Sequence, residues 1–262
     1  MYKLQILVCT TAARLPHIDF SLWPQVEDAG YLIACQNPGG KNLREPQRSD
    51  FEYIEFDNRG LSVNRNQAIA SASAPYILIA DDDTEFVAEG LRAIIAAYDA
   101  DPALDYATFR AVIPGNRVYP PDGYDFAKEY RFYFPISFEI TFRRKSLNDN
   151  RLRFSELAGL GAPYLCAGEE ELLLWHCRKA GLKGRFFDMV IVRHAAETTS
   201  VTRSAQPGFL RSKGVLLRVK RGCLGGILRL PVEARRSKVP FFRALTWLLQ
   251  GYVYSIRNRK AL

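Results

Sequence analysis

The sequence predicts an α/β fold with a mostly parallel central sheet, helices on both faces of that sheet, and a basic, largely helical C-terminal tail. Two observations carry this prediction, one for the sheet and one for the tail. Short apolar segments rich in β-favouring residues alternate with helix-like segments between residues 3 and 113. Strand, helix and strand in this order imply parallel strands joined by right-handed crossovers. A change to strongly basic composition after residue 200 sets the tail apart.

Short segments that are apolar and rich in β-branched or aromatic residues are expected to be strands. They are residues 3–10, 31–36, 51–56, 76–80, 105–113, 136–144 and 185–194. Helices are expected where apolar residues recur on one helical face or helix-stop residues follow, at residues 61–72, 85–100 and 169–181. Residues 114–135 and 158–168 are rich in Gly, Pro, Tyr or Ala and are expected to be loops.

Composition places the chain among ordinary globular proteins. It has 262 residues, of which 48% are hydrophobic and 24% charged. The N-terminal MYKLQILVCTT is expected to be a first strand rather than a signal peptide, and no apolar run is long enough to predict a membrane-spanning helix. Five scattered cysteines without CxxC spacing indicate reduced thiols in a cytoplasmic protein.

Charge is distributed unevenly along the chain. Residues 201–262 contain fourteen lysines or arginines and one acidic residue, Glu233, which gives a net charge of +13. The whole chain carries +8, so residues 1–200 carry −5. An acidic domain followed by a basic region predicts an anionic partner for the tail, either nucleic acid or an anionic membrane surface.

Three consecutive aspartates end a predicted buried strand in the segment YILIADDDTEF, residues 76–86. In parallel α/β sheets, ligands bind beyond the carboxyl ends of the strands. Adjacent carboxylates are tolerated where water solvates them or a cation compensates them, and hard oxygen ligands suit Mg²⁺ or Mn²⁺ held jointly with phosphates. Alternate strand residues point the same way, so Asp81 and Asp83 are expected to converge on one site. A solvated acidic turn is the alternative.

Two segments of the sequence resemble the motifs of a known family. The segment GLSVNRNQAIASASAPYILIADDDTEF is similar to the signature of family 2 glycosyltransferases with the GT-A fold, which ends in a DxD motif. GEEELLLWHCRKAGLK resembles the Gly-Glu-Asp/Glu stretch of that family, and FSELAGLGAPYLCAGEEELLL is similar to a bacterial polysaccharide-synthesis subgroup. The resemblance covers residues 4 to about 200 and rests on motifs in the expected order.

The resemblance implies a metal site and a donor site. Asp81 and Asp83 match the DxD positions and would bind Mg²⁺ or Mn²⁺, which bridges the diphosphate of the donor. His194 follows the last strand, where some GT-A enzymes have a further metal ligand; a structural role is the alternative. The residues implied to contact the nucleotide-sugar donor are Thr10, Thr11, Arg14, Asp57, Arg65 and Asp82.

The resemblance also implies a catalytic base. Glu169 and Glu170 match the acidic pair that supplies the base of inverting members, with Glu170 in the position that more usually holds Asp. Glycosyl transfer needs a base to take the proton of the acceptor hydroxyl, so a carboxylate here agrees with the chemistry. Acidic residues in a first helical turn also complement the helix dipole, which is the alternative explanation.

The tail contains an amphipathic segment, FFRALTWLLQGYVYSI, residues 241–256. Its apolar residues recur at helical spacing and form a continuous stripe. Basic residues flank it, namely Arg235, Arg236, Lys238, Arg257, Arg259 and Lys260. The segment is therefore expected to be a helix, packed either on the rest of the protein or on anionic lipid headgroups.

Together these features predict two domains, a GT-A domain at residues 1–200 and a basic amphipathic region at residues 201–262. The expected function is metal-dependent, inverting transfer of a sugar from a UDP-linked donor to a lipid-linked or polysaccharide acceptor, at the cytoplasmic face of the cell membrane. A nucleotidyltransferase on a similar sheet would use the same carboxylates without a base at Glu170. A nucleic-acid-binding protein would use the tail, but the acidic domain and the lack of a recognisable binding module argue against it.

Overall fold

The computed structural model describes residues 2–130, 133–194, 204–259 and 261–262. The chain divides into two compact units. The sheet unit comprises residues 1–59, 63–153 and 176–196, and the C-terminal unit comprises residues 60–62, 154–175 and 197–262. The predicted domain boundary between residues 200 and 201, and the basic residue Lys260, lie outside the described residues.

The sheet unit contains one eight-stranded sheet in the described part of the chain. Its strands are β1 (Leu4–Thr11), β2 (Ala29–Gln36), β3 (Phe51–Phe56), β4 (Tyr76–Asp81), β5 (Glu85–Phe86), β6 (Tyr106–Val112), β7 (Ile140–Arg143) and β8 (Gly184–Arg193). They lie in the order β3-β2-β1-β4-β7-β6-β8-β5. The first four in this order are mutually parallel, and β8 is parallel to β6. β7 is antiparallel to both neighbours and β5 to β8, so the predicted mostly parallel α/β sheet is confirmed.

The first four α-helices along the described chain are α1 (Leu61–Ser71), α2 (Ala88–Ala100), α3 (Arg144–Asp149) and α4 (Glu169–Lys179). Every residue of β2 is buried, as expected for a central parallel strand covered on both faces. On one face, α2 buries Leu91, Ile94 and Tyr98 in the same apolar core as the strand residues Ile6 and Leu78. This packing fixes the strands, and with them the edge of the sheet where the aspartates lie.

Two predicted elements begin three or four residues later than expected, and contacts distant in sequence explain both. The helix expected from residue 85 begins at Ala88 because Glu85 and Phe86 pair with Arg193 and Val192 as a short edge strand. The strand expected over 136–144 is limited to Ile140–Arg143 because residues 137–139 form a 3₁₀ turn, in which Ser137 donates to Asp81 and Glu139 accepts from Arg117. In both places a contact distant in sequence overrides the local pattern.

The C-terminal unit contains two long helices, α5 (Pro207–Arg236) and α6 (Phe241–Arg257). α5 bends sharply at Gly222, whose φ of 73° lies in the left-handed region that favours glycine. The helices share an apolar core that consists of Leu210, Leu217, Leu230, Ala234, Ala244, Leu248 and Tyr252. Gly214 and Gly251 lie where the two helices cross, and a Cβ at either position would collide with backbone of the other helix.

The amphipathic segment of the tail is a helix, as predicted, but its apolar stripe is divided between two environments. Leu248 and Tyr252 are buried against α5. Phe242, Leu249 and Val253, on the neighbouring face, are exposed. The stripe is therefore wider than the contact with α5 requires. No helix in the described part of the chain is long and apolar enough to cross a membrane.

Candidate functional site

The three aspartates lie at the carboxyl edge of the sheet, as predicted. β4 ends at Asp81, which is opposite Cys9 of β1, so Thr10 and Thr11 continue along the same edge. Asp82 and Asp83 form a turn rather than a continued strand. The alternation of strand side chains therefore ends at Asp81 and does not determine where Asp83 points. The three carboxylates have different sets of partners.

Asp81 is held on both of its carboxylate oxygens. Arg65 Nη2 donates to Oδ1 at 3.1 Å, and Ser137 Oγ donates to Oδ2 at 3.1 Å. Arg65 is only 1% exposed although it carries a full charge. It lies one helical turn before Ala68 and Ile69, the buried face of α1, which directs the guanidinium inward. Arg65 was a predicted donor residue, and the structure places it beside the DxD motif.

Asp82 is buried and faces Thr10 and Arg14. Thr10 Oγ1 donates to Oδ2 at 2.5 Å, and Arg14 Nε lies 2.9 Å from Oδ1 and 2.8 Å from Oδ2. The hydrogen bond to Asp82 raises the pKa of Arg14. Three predicted donor residues therefore come together here, but the carboxylate of Asp82 is already engaged by the other two.

Asp83 lies between Arg14 and His194. His194 Nε2 is 3.0 Å from Oδ1, and Arg14 Nη2 is 3.1 Å from Oδ2. The hydrogen bond from His194 is the main reason why the pKa of Asp83 lies below its usual value, with a further contribution from Arg14. The His194 ring is buried and stacks on Phe138, with ring centroids 5.1 Å apart. The structure thus joins His194 to the DxD motif.

The side chains at this edge of the sheet fit a metal ion whose ligands come partly from the protein and partly from a bound phosphate. Among the described residues, no group of three His, Cys, Asp or Glu side chains is arranged to hold an ion by itself. Asp83 and His194 are nevertheless adjacent, and supply carboxylate oxygen and imidazole nitrogen. Mg²⁺ and its analogues are often held by one or two protein ligands together with substrate phosphates and water. These residues therefore fit an ion that is bound jointly with a diphosphate.

Two predicted donor residues are not joined to this cluster by side-chain contacts. Asp57 follows β3 and is exposed. Thr11 ends β1 and accepts a hydrogen bond from the backbone of Arg14 through its carbonyl oxygen, at 2.9 Å. Their roles in donor binding stay predictions.

The acidic start of α4 lies within the C-terminal unit, next to a glycine-containing loop. Gly159 and Gly161 have φ values of 104° and 87°, which favour glycine. Ser62 Oγ donates to the carbonyl of Ala158 at 2.6 Å, which anchors this loop. A Cβ at Gly159 would lie 3.1 Å from Cδ of Glu169, so the loop covers that side chain closely.

The three glutamates that begin α4 have different environments. Glu169 is 5% exposed under the loop. Glu170 is partly exposed. Glu171 accepts a hydrogen bond from Lys220 Nζ of α5 at 2.9 Å. All three lie in the first helical turn, where they complement the helix dipole. Glu170 and Glu171 are therefore partly accessible to solvent, whereas Glu169 is buried.

The turn that precedes α4 is supported by α5 and by the C-terminus. Ala167 N donates to Ser212 Oγ at 3.2 Å, and Gly168 lies against Leu216. Leu262 is buried with Leu165 and Leu172 in a separate apolar cluster. Packing of the tail helix on the rest of the protein was one of two expected alternatives, but support of the turn before α4 was not predicted, because it depends on contacts between residues distant in sequence.

Sequence reasoning also missed Ser137, Phe138 and Glu139, which contact the aspartate cluster or lie directly behind it. The available signal was Glu139, a single acidic residue inside the apolar segment ISFEITF. Such a residue is almost never fully buried unless it is paired.

Comparisons with known proteins agree with this architecture. Residues 41–154 match the model of glycosyl transferase family 2. This confirms the resemblance, and together with the GT-A architecture it indicates a glycosyltransferase. No curated protein sequence matches the chain significantly.

Solved structures share the fold at low sequence identity. The structure of S. aureus TarS residues 1–349 in complex with UDP-GlcNAc matches with a TM-score of 0.59 and 15% identity, over 98% of this chain and 74% of that chain. The complex of the same protein with UDP gives 0.56 and 12%, over 98% and 73%. A longer TarS structure gives 0.52 and 14%, over 89% of this chain and 42% of that chain. At these identities the similarity shows the fold alone.

We expect Lys220→Met to loosen the turn that begins α4. The Lys220–Glu171 pair is mostly shielded from water, so its loss should cost about 1–2 kcal/mol locally, between the values for exposed and buried pairs. Hydrogen exchange of the amides of residues 167–172 should accelerate about 5- to 30-fold.

The matched control is Lys213→Met, which removes a lysine–glutamate pair to Glu233 within α5. It should leave exchange at residues 167–172 unchanged. Equal exchange in both variants would show that Lys220 does not support this turn.

Proposed function

We propose that this family 2 glycosyltransferase moves a sugar from a UDP-linked donor to a lipid-linked or saccharide acceptor in cell-surface glycan synthesis, with inversion at the anomeric carbon. The observation that carries the proposal is the cluster of Arg14, Arg65 and His194 around the DxD aspartates. Similar structures hold UDP-GlcNAc and UDP, which supports a uridine nucleotide. The alternative nucleotidyltransferase would need the same edge of the sheet but no base on α4.

Within this proposal, Asp83 and His194 hold Mg²⁺ or Mn²⁺, and Asp81 assists from its position between Arg65 and Ser137. When bound, such an ion stabilises the negative charge that develops on the leaving diphosphate. Arg14 is cationic beside Asp82 and Asp83, because arginine is not deprotonated in proteins, and its hydrogen bond to Asp82 raises its pKa further. It keeps the acidic turn neutralised, so that a diphosphate meets less repulsion.

Glu170 acts as the general base. The acceptor hydroxyl oxygen bonds to the anomeric carbon, its proton passes to the Glu170 carboxylate, and the bond from that carbon to the nucleoside diphosphate breaks. Glu170 occupies the second position of the acidic pair in the family resemblance and is partly exposed. Glu169 is buried beneath the loop at Gly159, and Glu171 accepts a hydrogen bond from Lys220. The glycine-containing loop and the Lys220–Glu171 ion pair hold the start of α4 in place.

The C-terminal helices dock the enzyme on anionic membrane, at its cytoplasmic face. The start of α6 presents Phe242, which is 80% exposed. Exposed basic residues lie at the end of α5, in the turn that follows and at the start of α6, namely Arg235, Arg236, Lys238 and Arg243. In the second half of α5, Leu224 and Leu228 are 78% and 75% exposed. Exposed apolar side chains within a basic region fit burial among anionic headgroups. A lipid-linked acceptor would require this proximity.

Asp83→Ala should abolish Mn²⁺-dependent hydrolysis and transfer of the donor, and Asp81→Ala should weaken both strongly. Asp83 is the carboxylate next to His194, whereas Asp81 is already engaged by Arg65 and Ser137. Release of UDP from the nucleotide sugar measures both reactions. Asp99→Ala, which removes an exposed carboxylate paired with Lys3, is the control and should retain activity. Full activity of Asp83→Ala in EDTA would refute the metal site.

Glu170→Gln should bind the donor normally and transfer sugar at least about 100-fold more slowly, the usual scale for the loss of a general base. Donor affinity from calorimetry and transfer rate to a saccharide acceptor separate the two effects. If Glu169→Gln shows this phenotype and Glu170→Gln does not, the buried glutamate is the base. If neither variant slows transfer, the catalytic role of this helix is wrong.

Phe242→Ser should reduce binding to vesicles of phosphatidylglycerol and phosphatidylcholine, and the salt-resistant part of binding should fall most. Arg235→Glu with Lys238→Glu should remove mainly the salt-sensitive part, since each basic residue contributes about 1 kcal/mol near an anionic surface. Sedimentation with vesicles measures both. Point variants are preferable to truncation, because Leu248 and Tyr252 belong to the core of the C-terminal unit.

Val112→Ser, at an exposed apolar residue of the sheet unit, is the matched control and should bind vesicles as the wild type does. Equal binding of the wild type to neutral and anionic vesicles would contradict docking through charge.

A further inference from the structure

Three consecutive residues, Ser137, Phe138 and Glu139, connect the aspartate cluster to a long loop. We call them the clasp. Ser137 Oγ donates to Asp81 Oδ2 at 3.1 Å. The Phe138 ring stacks on the ring of His194 at an interplanar angle of 17°. Ser137 therefore contacts the Asp81 carboxylate, and Phe138 contacts the imidazole that is hydrogen-bonded to Asp83.

The third residue, Glu139, anchors the clasp to the segment that precedes it. Its carboxylate is 0% exposed. It accepts hydrogen bonds from Arg117 Nη2 at 2.6 Å, Tyr119 OH at 2.8 Å and the backbone N of Ile136 at 3.0 Å, with Tyr133 OH at 3.4 Å. Burial raises the pKa of Glu139, and the charge of Arg117 opposes that rise. The Glu139 carboxylate thus binds residues near both ends of the 114–135 loop.

Stability alone does not explain a buried hydrogen-bond network around a charged pair. Burial of a charged pair carries a desolvation penalty, and well-packed apolar residues would often stabilise the protein as much. What the network adds is a defined geometry, because each hydrogen bond fixes the direction of a side chain. That geometry ends at Asp81 and His194, the residues proposed to face the donor diphosphate and its metal ion.

We propose that the clasp positions the metal and nucleotide ligands of this enzyme. Ser137 and Arg65 each donate to a different oxygen of Asp81, so together they set the plane of that carboxylate. Phe138 sets the plane of His194, whose Nε2 faces Asp83. Ser137 and Phe138 are positioning residues, and Glu139 holds both in place. The proposal rests on the proposed function and deepens it at the same site.

Substitution of a clasp residue should therefore lower the affinity for the nucleotide only when the metal ion is present. Residues that orient the ligands of a metal typically change metal affinity 10- to 100-fold when they are replaced. Ser137→Ala should therefore weaken UDP binding about tenfold in the presence of Mn²⁺. Binding of UDP in EDTA should stay within about twofold of the wild type, because the proposed role of Asp81 is to assist the metal ion.

Calorimetric titration of UDP into the full chain, with Mn²⁺ and with EDTA, tests this. The matched control is Ser146→Ala, which removes a serine–aspartate hydrogen bond to Asp105 in the same sheet unit. It should lower the melting temperature about as much as Ser137→Ala does and leave both UDP affinities unchanged. Tyr119→Phe, which removes one hydrogen bond from Glu139 without a change in charge, should cause a smaller loss of the same metal-dependent kind.

The outcomes separate this inference from the proposed function. If the wild type shows no Mn²⁺-dependent UDP binding, both are overturned. If the wild type binds and Ser137→Ala binds equally well, the clasp is refuted and the function stands. If Ser137→Ala loses affinity equally with Mn²⁺ and with EDTA, the serine supports folding rather than the metal site, and the inference is again overturned. Phe138→Leu provides a second variant with the same expected pattern should Ser137→Ala fold poorly.

Discussion

Neutralisation of three adjacent carboxylates at the edge of a buried sheet is the constraint on which the rest of this structure depends. Asp81, Asp82 and Asp83 would repel one another at the end of an apolar strand unless cations compensated them. Arg65 and Arg14 supply permanent charge, and His194 supplies a hydrogen bond that lowers the pKa of Asp83. In the proposed function, the arrangement that stabilises the turn would also let it accept a diphosphate together with a divalent ion.

The partners of the aspartates also explain why residues far apart in the chain must be held rigidly. Arg14 is 68 residues from Asp82, and His194 is 111 residues from Asp83. Each partner follows a different strand, so the parallel sheet brings them to one edge. The fully buried carboxylate of Glu139 extends this rigidity into the long loop, through hydrogen bonds rather than apolar contact.

The C-terminal unit combines a structural role with the proposed membrane contact, and the composition of the tail does not separate the two. Its basic and apolar surface around Phe242 suits an anionic membrane. Its interior supports the start of α4, because Ser212 and Lys220 of α5 bind the turn that carries the glutamates. Lys220 is thus a basic residue of the tail that is committed to the protein itself, and net charge alone overstates how many such residues face a partner.

The sequence by itself determined the α/β class, most strand positions, the DxD aspartates at a strand end and the acidic start of α4, because periodicity and residue type at strand and helix ends are local properties. Tertiary structure decided which cations compensate each aspartate, that Ser137 and Glu139 support them, and that Glu170 rather than Glu169 is accessible. It also divided the stripe of α6 into buried and exposed faces. These features depend on contacts across long sequence separations, which no local pattern encodes.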